Sequence, residues 1–332
     1  MKTLSAFVVA STLPLLSSIA TAQTLPPIKE VVSFGDSLTD AGTYWFRFTS
    51  NPGLTFAQHL AVRYGQLPLP NEHMDSYSDV YQGKHGMPGP GGLNYAEGGA
   101  KANSAYSSVS QDPEGLPIST AVQLKHYLAQ HGKFSPEQLV TFYVGTNDAA
   151  YNYDPDKSPE LAKQLQDNKP PAAEVMSKEK ARVEKAADDA AHTVTNILAH
   201  GAKRVLVFKL VDLGNLPWFH SEASQAYVRE LGRAFNARLV AELPKDDEHL
   251  LVIDTEAFAD DLIANAAKYG FKHGSHEDAC KLDDQDYCFP ETLKDADADH
   301  TYIFVAGEHM TTRANELLAD YVVKQLEASP LK

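Results

Sequence analysis

Short apolar, β-branched runs recur along the chain and are separated by longer segments with helical spacing. Four of these runs predict buried strands, because turn residues follow each of them; they span residues 30–34, 139–144, 204–211 and 249–253. Helical patterns lie between and after them, at residues 54–64, 119–131, 172–200, 224–243 and 312–327. Strands that alternate with helices predict an α/β fold with a parallel sheet covered on both faces.

Two polar regions interrupt this alternation. Residues 67–93 are rich in Pro, Gly, Tyr and His, which predicts a long irregular loop. Residues 269–300 are rich in Asp and contain both cysteines of the chain. Both regions are candidates for the walls of a substrate cleft. The charged segment 157–185 is interpreted as a solvated helix face with its lead-in loop.

The N-terminus predicts a secretory signal peptide over residues 1–22. Lys2 precedes an apolar stretch, and Ala20-Thr21-Ala22 forms a small-x-small cleavage site. The apolar core is too short and too rich in Ser and Thr to predict a spanning helix. We therefore expect residues 23–332 to form a single domain that works outside the cytoplasm, either in the periplasm or released.

The charge and the cysteine content indicate which partners and which cellular compartment to expect. The formal net charge of −15 argues against nucleic acid as a partner. In an oxidising compartment, Cys280 and Cys288 are expected to form a local disulfide. Metal ligation together with His273 and His276 is the alternative, but the spacing matches no structural zinc pattern.

Four short motifs carry the residue types that acyl transfer by a serine requires. Ser37 lies in a Gly-Asp-Ser-Leu turn directly after the first predicted strand, and paired glycines follow at Gly98 and Gly99. Asn147 follows the second predicted strand, and His309 precedes the last helix. Each motif alone is more often only a turn, a helix cap or a surface residue, but their order favours a nucleophile, oxyanion donors and a base.

These four motifs resemble those of the GDSL, or SGNH, family of esterases and lipases, over residues 31–315. The resemblance implies a flavodoxin-like three-layer α/β/α sandwich with a parallel sheet of about five strands. It also implies that Ser37 is the nucleophile and His309 the base. The oxyanion hole would then be formed by the N–H groups of Ser37 and Gly99, or Gly98, together with the Asn147 amide.

The chain departs from the family pattern at Ala306, where the family carries the aspartate that orients the histidine ring. Glu308 is adjacent to His309, a spacing at which a side chain normally points elsewhere. Asp297, Asp299 or a distant carboxylate could substitute for the missing acid. Alternatively, Ser37 and His309 form a dyad that is helped by a backbone carbonyl, water or bound anion, or the alanine weakens catalysis.

Other patterns are weaker. The run Asp295-Ala296-Asp297-Ala298-Asp299 resembles the start of an EF-hand loop but lacks the required glycine and glutamate, so calcium is not expected. The absence of a second glycine after the serine disfavours the Gly-x-Ser-x-Gly elbow of α/β-hydrolases. The aromatic residues that follow Ser37 are equally compatible with an acyl or choline-like pocket and with the core; they are Tyr44, Trp45, Phe46 and Phe48.

The sequence therefore predicts a secreted serine esterase that needs no cofactor or metal and acts on small-molecule or lipid esters. Peripheral contact with a lipid surface is compatible with this prediction. A phospholipase or acyltransferase of the same family is one alternative. A catalytically weakened binding protein with the same fold is the other, and it is favoured only by Ala306.

Overall fold

The computed structural model describes residues 25–74, 87–103, 118–150, 159–282 and 285–332. Its strands are β1 (Glu30–Gly35), β2 (Glu72–His73), β3 (Met87–Pro88), β4 (Gln138–Tyr143), β5 (Val205–Phe208), β6 (Leu250–Ile253), β7 (His273–Asp278), β8 (Tyr302–Ala306) and β9 (His309–Met310). Its helices are α1 (Phe56–Arg63), α2 (Thr120–His131), α3 (Thr146–Ala150), α4 (Pro159–Gln166), α5 (Ala173–Ala199), α6 (Glu222–Glu242), α7 (Thr255–Ala264), α8 (Ala298–Thr301) and α9 (Thr312–Glu327).

The central sheet consists of four parallel strands in the order β1-β4-β5-β6. Strands β1 and β4 are buried along almost their whole length, as expected for a sheet that is covered on both faces. Helices α2, α5 and α6 pack together on one side, and α1, α7 and α9 pack on the other. The predicted α/β sandwich is therefore confirmed, with four strands in the described sheet rather than about five.

The predicted element boundaries agree closely with the observed ones. Helix α9 has the predicted limits, and α5 differs from its prediction by one residue at each end. The strand predicted over residues 204–211 is shorter, because β5 ends at Phe208. The charged segment contains the start of α5, in agreement with the predicted helix, but its lead-in contains helix α4 rather than only a loop.

A second, smaller sheet in the order β7-β8-β9 was not predicted from the sequence. Strand β7 is polar throughout, and β9 has only two residues, so neither shows the alternation that identifies a strand. Strand β8 pairs parallel with β7 and antiparallel with β9. This sheet matters for function because β9 carries His309.

The polar loop near this sheet contains the predicted disulfide between Cys280 and Cys288, whose Cα atoms lie 5.8 Å apart. Because both cysteines are used in this bond, the alternative of metal ligation by them is wrong. His273 instead stacks on Tyr302, with the ring centroids 3.6 Å apart.

The predicted signal peptide lies outside the described residues. Among the helices of the described ranges, none is both long and apolar enough to cross a membrane.

Candidate active site

Ser37 lies just beyond the carboxyl end of β1, at the edge of the sheet where open α/β folds bind ligands. The turn requires glycine at position 35, because a Cβ there would come within 2.3 Å of the Tyr143 carbonyl oxygen. The Gln123 side chain fixes this glycine, accepting from its N–H at 3.0 Å and donating to its carbonyl at 2.9 Å. Ser37 is 6% exposed, so the turn presents it within a largely closed site.

Two buried aspartates organise the turn around Ser37. Asp36 accepts a hydrogen bond from the Leu38 N–H, and Asp40 accepts from the N–H groups of Gly42 and Thr43. Burial, partly offset by the Leu38 hydrogen bond, raises the pKa of Asp36 to about 7. Burial likewise raises the pKa of Asp40 to about 6, although backbone hydrogen bonds lower it. The turn is therefore held by carboxyl groups that are costly to ionise.

His309 is brought to Ser37 by the hairpin of β8 and β9. Nε2 of His309 lies 2.8 Å from Oγ of Ser37, within hydrogen-bond distance. Thr49 Oγ1 and Asn315 Nδ2 both donate to the Met310 carbonyl, which fixes the backbone beside the histidine. The structure thus joins the predicted nucleophile and base, although they are far apart in the sequence.

The paired glycines lie in a loop that is held from two sides. The Gly98 N–H donates to Asp40 Oδ2 at 2.9 Å, and the Ala102 N–H donates to Asp148 Oδ2 at 3.1 Å. Gly99 adopts a left-handed φ of +84°, which favours glycine. Because the Gly98 N–H already donates to Asp40, Gly98 is a poor oxyanion donor.

Asn147 reaches the same edge of the sheet from the neighbouring strand. Strands β1 and β4 are adjacent and parallel, so the residues that follow them emerge side by side. Asn147 is the second residue of the short helix α3, and its Nδ2 atom donates to the Ala100 carbonyl at 3.1 Å. An amide nitrogen carries two hydrogens, so this bond leaves one for another acceptor.

The position of the expected acid is occupied by Ala306, which pairs directly with His309 across the hairpin. Nδ1 of His309 is buried and finds no hydrogen-bond partner among the residues that the structure describes. Asp297 pairs with Lys272, and Asp299 pairs with His300. Both aspartates are therefore engaged away from the ring, and neither supplies the missing acid.

Asp286 and Glu308 are the acidic residues that lie beside the histidine. One ligating atom each of Asp286, Glu308 and His309 lie within 4.8 Å of one another. Glu308 Oε1 is 3.9 Å from Nε2, the same nitrogen that contacts Ser37, so it does not orient the opposite nitrogen. Burial, followed by the charge of Asp286, raises the pKa of Glu308 to about 8. Sequence reasoning missed Asp286, because no motif marks it.

The electrostatics of the ring favour its neutral form. Burial lowers the pKa of His309 to about 3, and the nearby backbone carbonyl of Asp286 acts in the opposite direction. Among the described residues, no group forms a hydrogen bond to Nδ1. A neutral imidazole is ready to accept a proton, but its charged form requires a stabilising partner.

The cluster of Asp286, Glu308 and His309 contains carboxylate and imidazole groups, which are common ligands of cations. However, Nε2 of His309 is already engaged with Ser37, so a cation on this nitrogen would compete with the serine. We therefore keep the prediction that the site works without a metal.

The aromatic residues that follow Ser37 divide into two groups. Tyr44, Phe46 and Phe48 are buried together with Met74, and Phe48 lies 5.1 Å from the His309 ring between centroids. Trp45 is 63% exposed, has a φ of +69° and stacks on His73. The buried group supports the histidine as part of the core, whereas Trp45 lies at the surface.

Comparisons with known proteins identify the family of the chain. The profile of the GDSL-like lipase/acylhydrolase family matches residues 31–322. A phosphatidylcholine-sterol acyltransferase of Aeromonas hydrophila is 28% identical over 62% of the chain and 51% of its own length. A GDSL esterase/lipase of Arabidopsis thaliana is 26% identical over 69% of the chain and 63% of its own length. The chain thus spans between half and two thirds of these relatives.

Solved structures of two bacterial esterases are also similar. A carbohydrate acetylesterase from Sinorhizobium meliloti aligns with 89% of the chain and 99% of its own length, at 14% identity and a TM-score of 0.39. An acetylxylan esterase from Geobacillus stearothermophilus aligns with 93% of the chain and 99% of its own length, at 11% identity and the same TM-score.

Proposed function

Because the chain belongs to the GDSL-like lipase/acylhydrolase family, we propose that it hydrolyses carboxylic esters through an acyl-enzyme on Ser37. The observation that carries this proposal is the 2.8 Å contact between Ser37 Oγ and His309 Nε2. A buried serine hydroxyl within reach of a neutral imidazole is the arrangement that activates a weak nucleophile.

The reaction follows from this arrangement in two steps. Nε2 of His309 takes the hydroxyl proton while Oγ of Ser37 attacks the ester carbonyl carbon. The Ser37 and Gly99 N–H groups and the Asn147 amide stabilise the oxyanion, and His309 returns the proton to the leaving alcohol. Water then attacks the acyl-enzyme with the histidine again acting as base, which releases the acid and restores Ser37.

The test is hydrolysis of p-nitrophenyl esters of increasing acyl length by the wild type and by Ser37→Ala. We expect wild-type turnover with at least one ester, and a loss to near background in the variant with unchanged thermal stability. A serine-directed phosphonate should also add one label to the wild type and none to the variant. Undiminished turnover by Ser37→Ala would reject the mechanism.

A lipid-directed activity is the second candidate, and two observations favour it. The chain is similar to a phosphatidylcholine-sterol acyltransferase, and the exposed Trp45 ring lies on the segment that follows Ser37. Phosphatidylcholine vesicles with and without a sterol would separate the outcomes, because hydrolysis yields free fatty acid and transfer yields sterol ester. Absence of both products would leave small esters as the substrates.

A binding protein with weakened chemistry is the remaining alternative. The intact contact between Ser37 and His309 speaks against it, because a pure binding site has no need for this geometry. It would be favoured only if the wild type bound esters without turnover of any of them.

We further propose that residues 1–22 direct export and that residues 23–332 form one hydrolase domain. The disulfide between Cys280 and Cys288 supports an oxidising compartment. The intact mass of the exported protein should correspond to a chain that starts at Gln23 and lacks two hydrogens. A mass that includes the first residues would reject cleavage at this site.

A further inference from the structure

Arg182 is a half-buried arginine of helix α5 whose guanidinium reaches the short helix α3. Its Nη1 atom donates to the carbonyl oxygen of Asp148. Its Nε atom donates to Oε2 of Glu179, one turn earlier on α5, at 2.7 Å. Glu179 is buried, so this ion pair lies largely away from solvent. Because desolvation offsets much of the attraction within such a pair, its main effect is on the groups that it holds in place.

Helix α3 carries two side chains that hold the glycine loop. Asn147 Nδ2 donates to the Ala100 carbonyl at 3.1 Å, and Asp148 Oδ2 accepts from the Ala102 N–H at 3.1 Å. The helix has only five residues, so it makes few backbone hydrogen bonds of its own. Its orientation therefore depends on contacts with the elements around it.

We propose that Arg182 is a positioning residue for the oxyanion hole: by holding the Asp148 carbonyl, it fixes the orientation of α3 and thereby that of the Asn147 amide. The inference rests on the proposed function, since Asn147 is an oxyanion donor only in that mechanism. A donor stabilises the oxyanion when it lies about 2.7–3.1 Å from it. A small rotation of α3 would therefore weaken the stabilisation, although Arg182 itself touches no reacting atom.

Packing against α6 fixes the beginning of α3. Gly145 directly precedes the helix and has a φ of +126°. A Cβ at this position would come within 2.4 Å of the Phe235 ring of α6. The Gly145 carbonyl accepts from the Ala149 N–H at 2.9 Å, which closes the first turn. Arg182 adds a second fixed point at the third residue of the helix, and two points determine the direction of so short an element.

A guanidinium is suited to this task because its N–H groups have fixed directions. Nε and Nη1 of Arg182 bind one acceptor on each of two helices. The Arg182 charge also acts on the Asp148 carboxyl group. Burial raises the pKa of this group, whereas Lys101, the Ala102 N–H and Arg182 act in the opposite direction. Arg182 therefore also favours the carboxylate that accepts from the glycine loop.

The experiment measures kcat and KM of the full chain with a p-nitrophenyl ester. Arg182→Met keeps an apolar stem but removes the N–H donors, and it should lower kcat by about 10–100-fold with little change in KM. In an Asn147→Ala background, the same substitution should cost less than about threefold, because the amide that it misplaces is gone. Arg238→Met is the matched control, since Arg238 is an exposed arginine that binds Asp188, and its kcat should equal that of the wild type.

Two further measurements separate positioning from a general loss of structure. Circular dichroism reports whether Arg182→Met is folded. If it is not, Arg182→Lys decides, because lysine keeps the charge beside Glu179 but lacks the fork; its kcat should fall by at least about fivefold, and only while Asn147 is present. Amide hydrogen exchange over residues 98–102 should be faster in the folded Arg182 variant than in the wild type, and this readout needs no substrate.

The inference would be overturned by full kcat in the folded Arg182 variant. An equal fold-loss with and without Asn147 would also overturn it, because the arginine would then act on the structure in general. Unchanged exchange over residues 98–102 would have the same consequence. Failure of the proposed function is a separate result: the wild type would then hydrolyse no ester, while the exchange measurement would still report whether Arg182 holds the loop.

Discussion

Around Ser37, the backbone that would face an oxyanion is held by three side chains from two motifs. Among the described residues, the His309 ring has one hydrogen bond and the aromatic packing of Phe48. Asp40 and Asp148 both accept from the glycine loop, and Asn147 donates to it. On the histidine side, Nδ1 lacks an acceptor with hydrogen-bond geometry among the described residues. The two halves therefore differ in how many groups determine their geometry.

This difference predicts that the histidine side tolerates the loss of a family residue better than the serine side would. A backbone N–H that loses its only buried acceptor is left unsatisfied, which costs about 1–3 kcal/mol. A histidine that loses its acid can be served by any acceptor that packs against the same nitrogen, including a carbonyl. We therefore expect large losses when the serine side is changed and small changes when an acid is restored on the histidine side.

Among the substitutions that compare the two sides, Asn147→Ala is expected to give the largest loss of kcat. The variant removes one donor aimed at the oxyanion, which typically lowers kcat by about 10²–10³-fold. Steady-state kinetics with a p-nitrophenyl ester measures the loss, and KM should change little. Asn265→Ala, an exposed asparagine elsewhere, is the matched control. A loss smaller than tenfold would show that Asn147 is not an oxyanion donor.

A smaller loss of kcat is expected from Asp40→Asn. The asparagine can place its oxygen toward Gly42 and Thr43, but its NH₂ group then faces the Gly98 N–H, and two donors cannot pair. The unsatisfied N–H disturbs the glycine loop, which we expect to lower kcat by about 10–100-fold. Equal kcat in the variant and the wild type would show that this loop does not depend on Asp40.

The serine side was predictable from the sequence, because its residues follow strands within short motifs. Ser37 and Asn147 come directly after two apolar runs, and adjacent parallel strands bring such positions together. Asp40 could have been identified as well, since it follows Ser37 closely and a buried aspartate in a turn binds backbone N–H groups.

The support of the histidine side was not predictable in the same way. Asp286 lies in a polar segment whose position depends on the disulfide, on two backbone hydrogen bonds and on the stacking of Tyr287. None of these contacts has a local pattern. The sequence did show that the family's acid is missing at position 306, and it left a distant carboxylate, a backbone carbonyl, water or a bound anion as possible replacements.

The pH dependence of stability should report the buried carboxyl group beside Ser37. Asp36 has a folded-state pKa of about 7, raised from 3.8 by burial, so the unfolded chain ionises first as the pH rises. Its contribution to the free energy of unfolding therefore falls between pH 4 and pH 7. Asp36→Asn stays neutral and can still accept from Leu38, so it should not show this fall.

Thermal unfolding at pH 4.5 and 7.5 measures this effect as a difference between the two proteins. The variant should gain stability relative to the wild type at the higher pH, while the exposed Asp246→Asn should not. Parallel behaviour of Asp36→Asn and the wild type would show that Asp36 ionises in the folded protein as easily as in the unfolded chain.

The smallest change in turnover is expected from Ala306→Asp, which restores the acid of the family pattern. Ala306 and His309 are directly opposed across an antiparallel pair, so their Cβ atoms lie on the same face at about 4.5–5.5 Å and a carboxylate can reach the ring. If another group already supports the ring, kcat should change by less than about tenfold, and the buried charge should lower the thermal midpoint. Ala306→Asn, of the same shape but neutral, separates these effects. Loss of the acid in a related triad costs about 10⁴-fold, so a gain of several orders of magnitude would mean that His309 is unsupported in this chain.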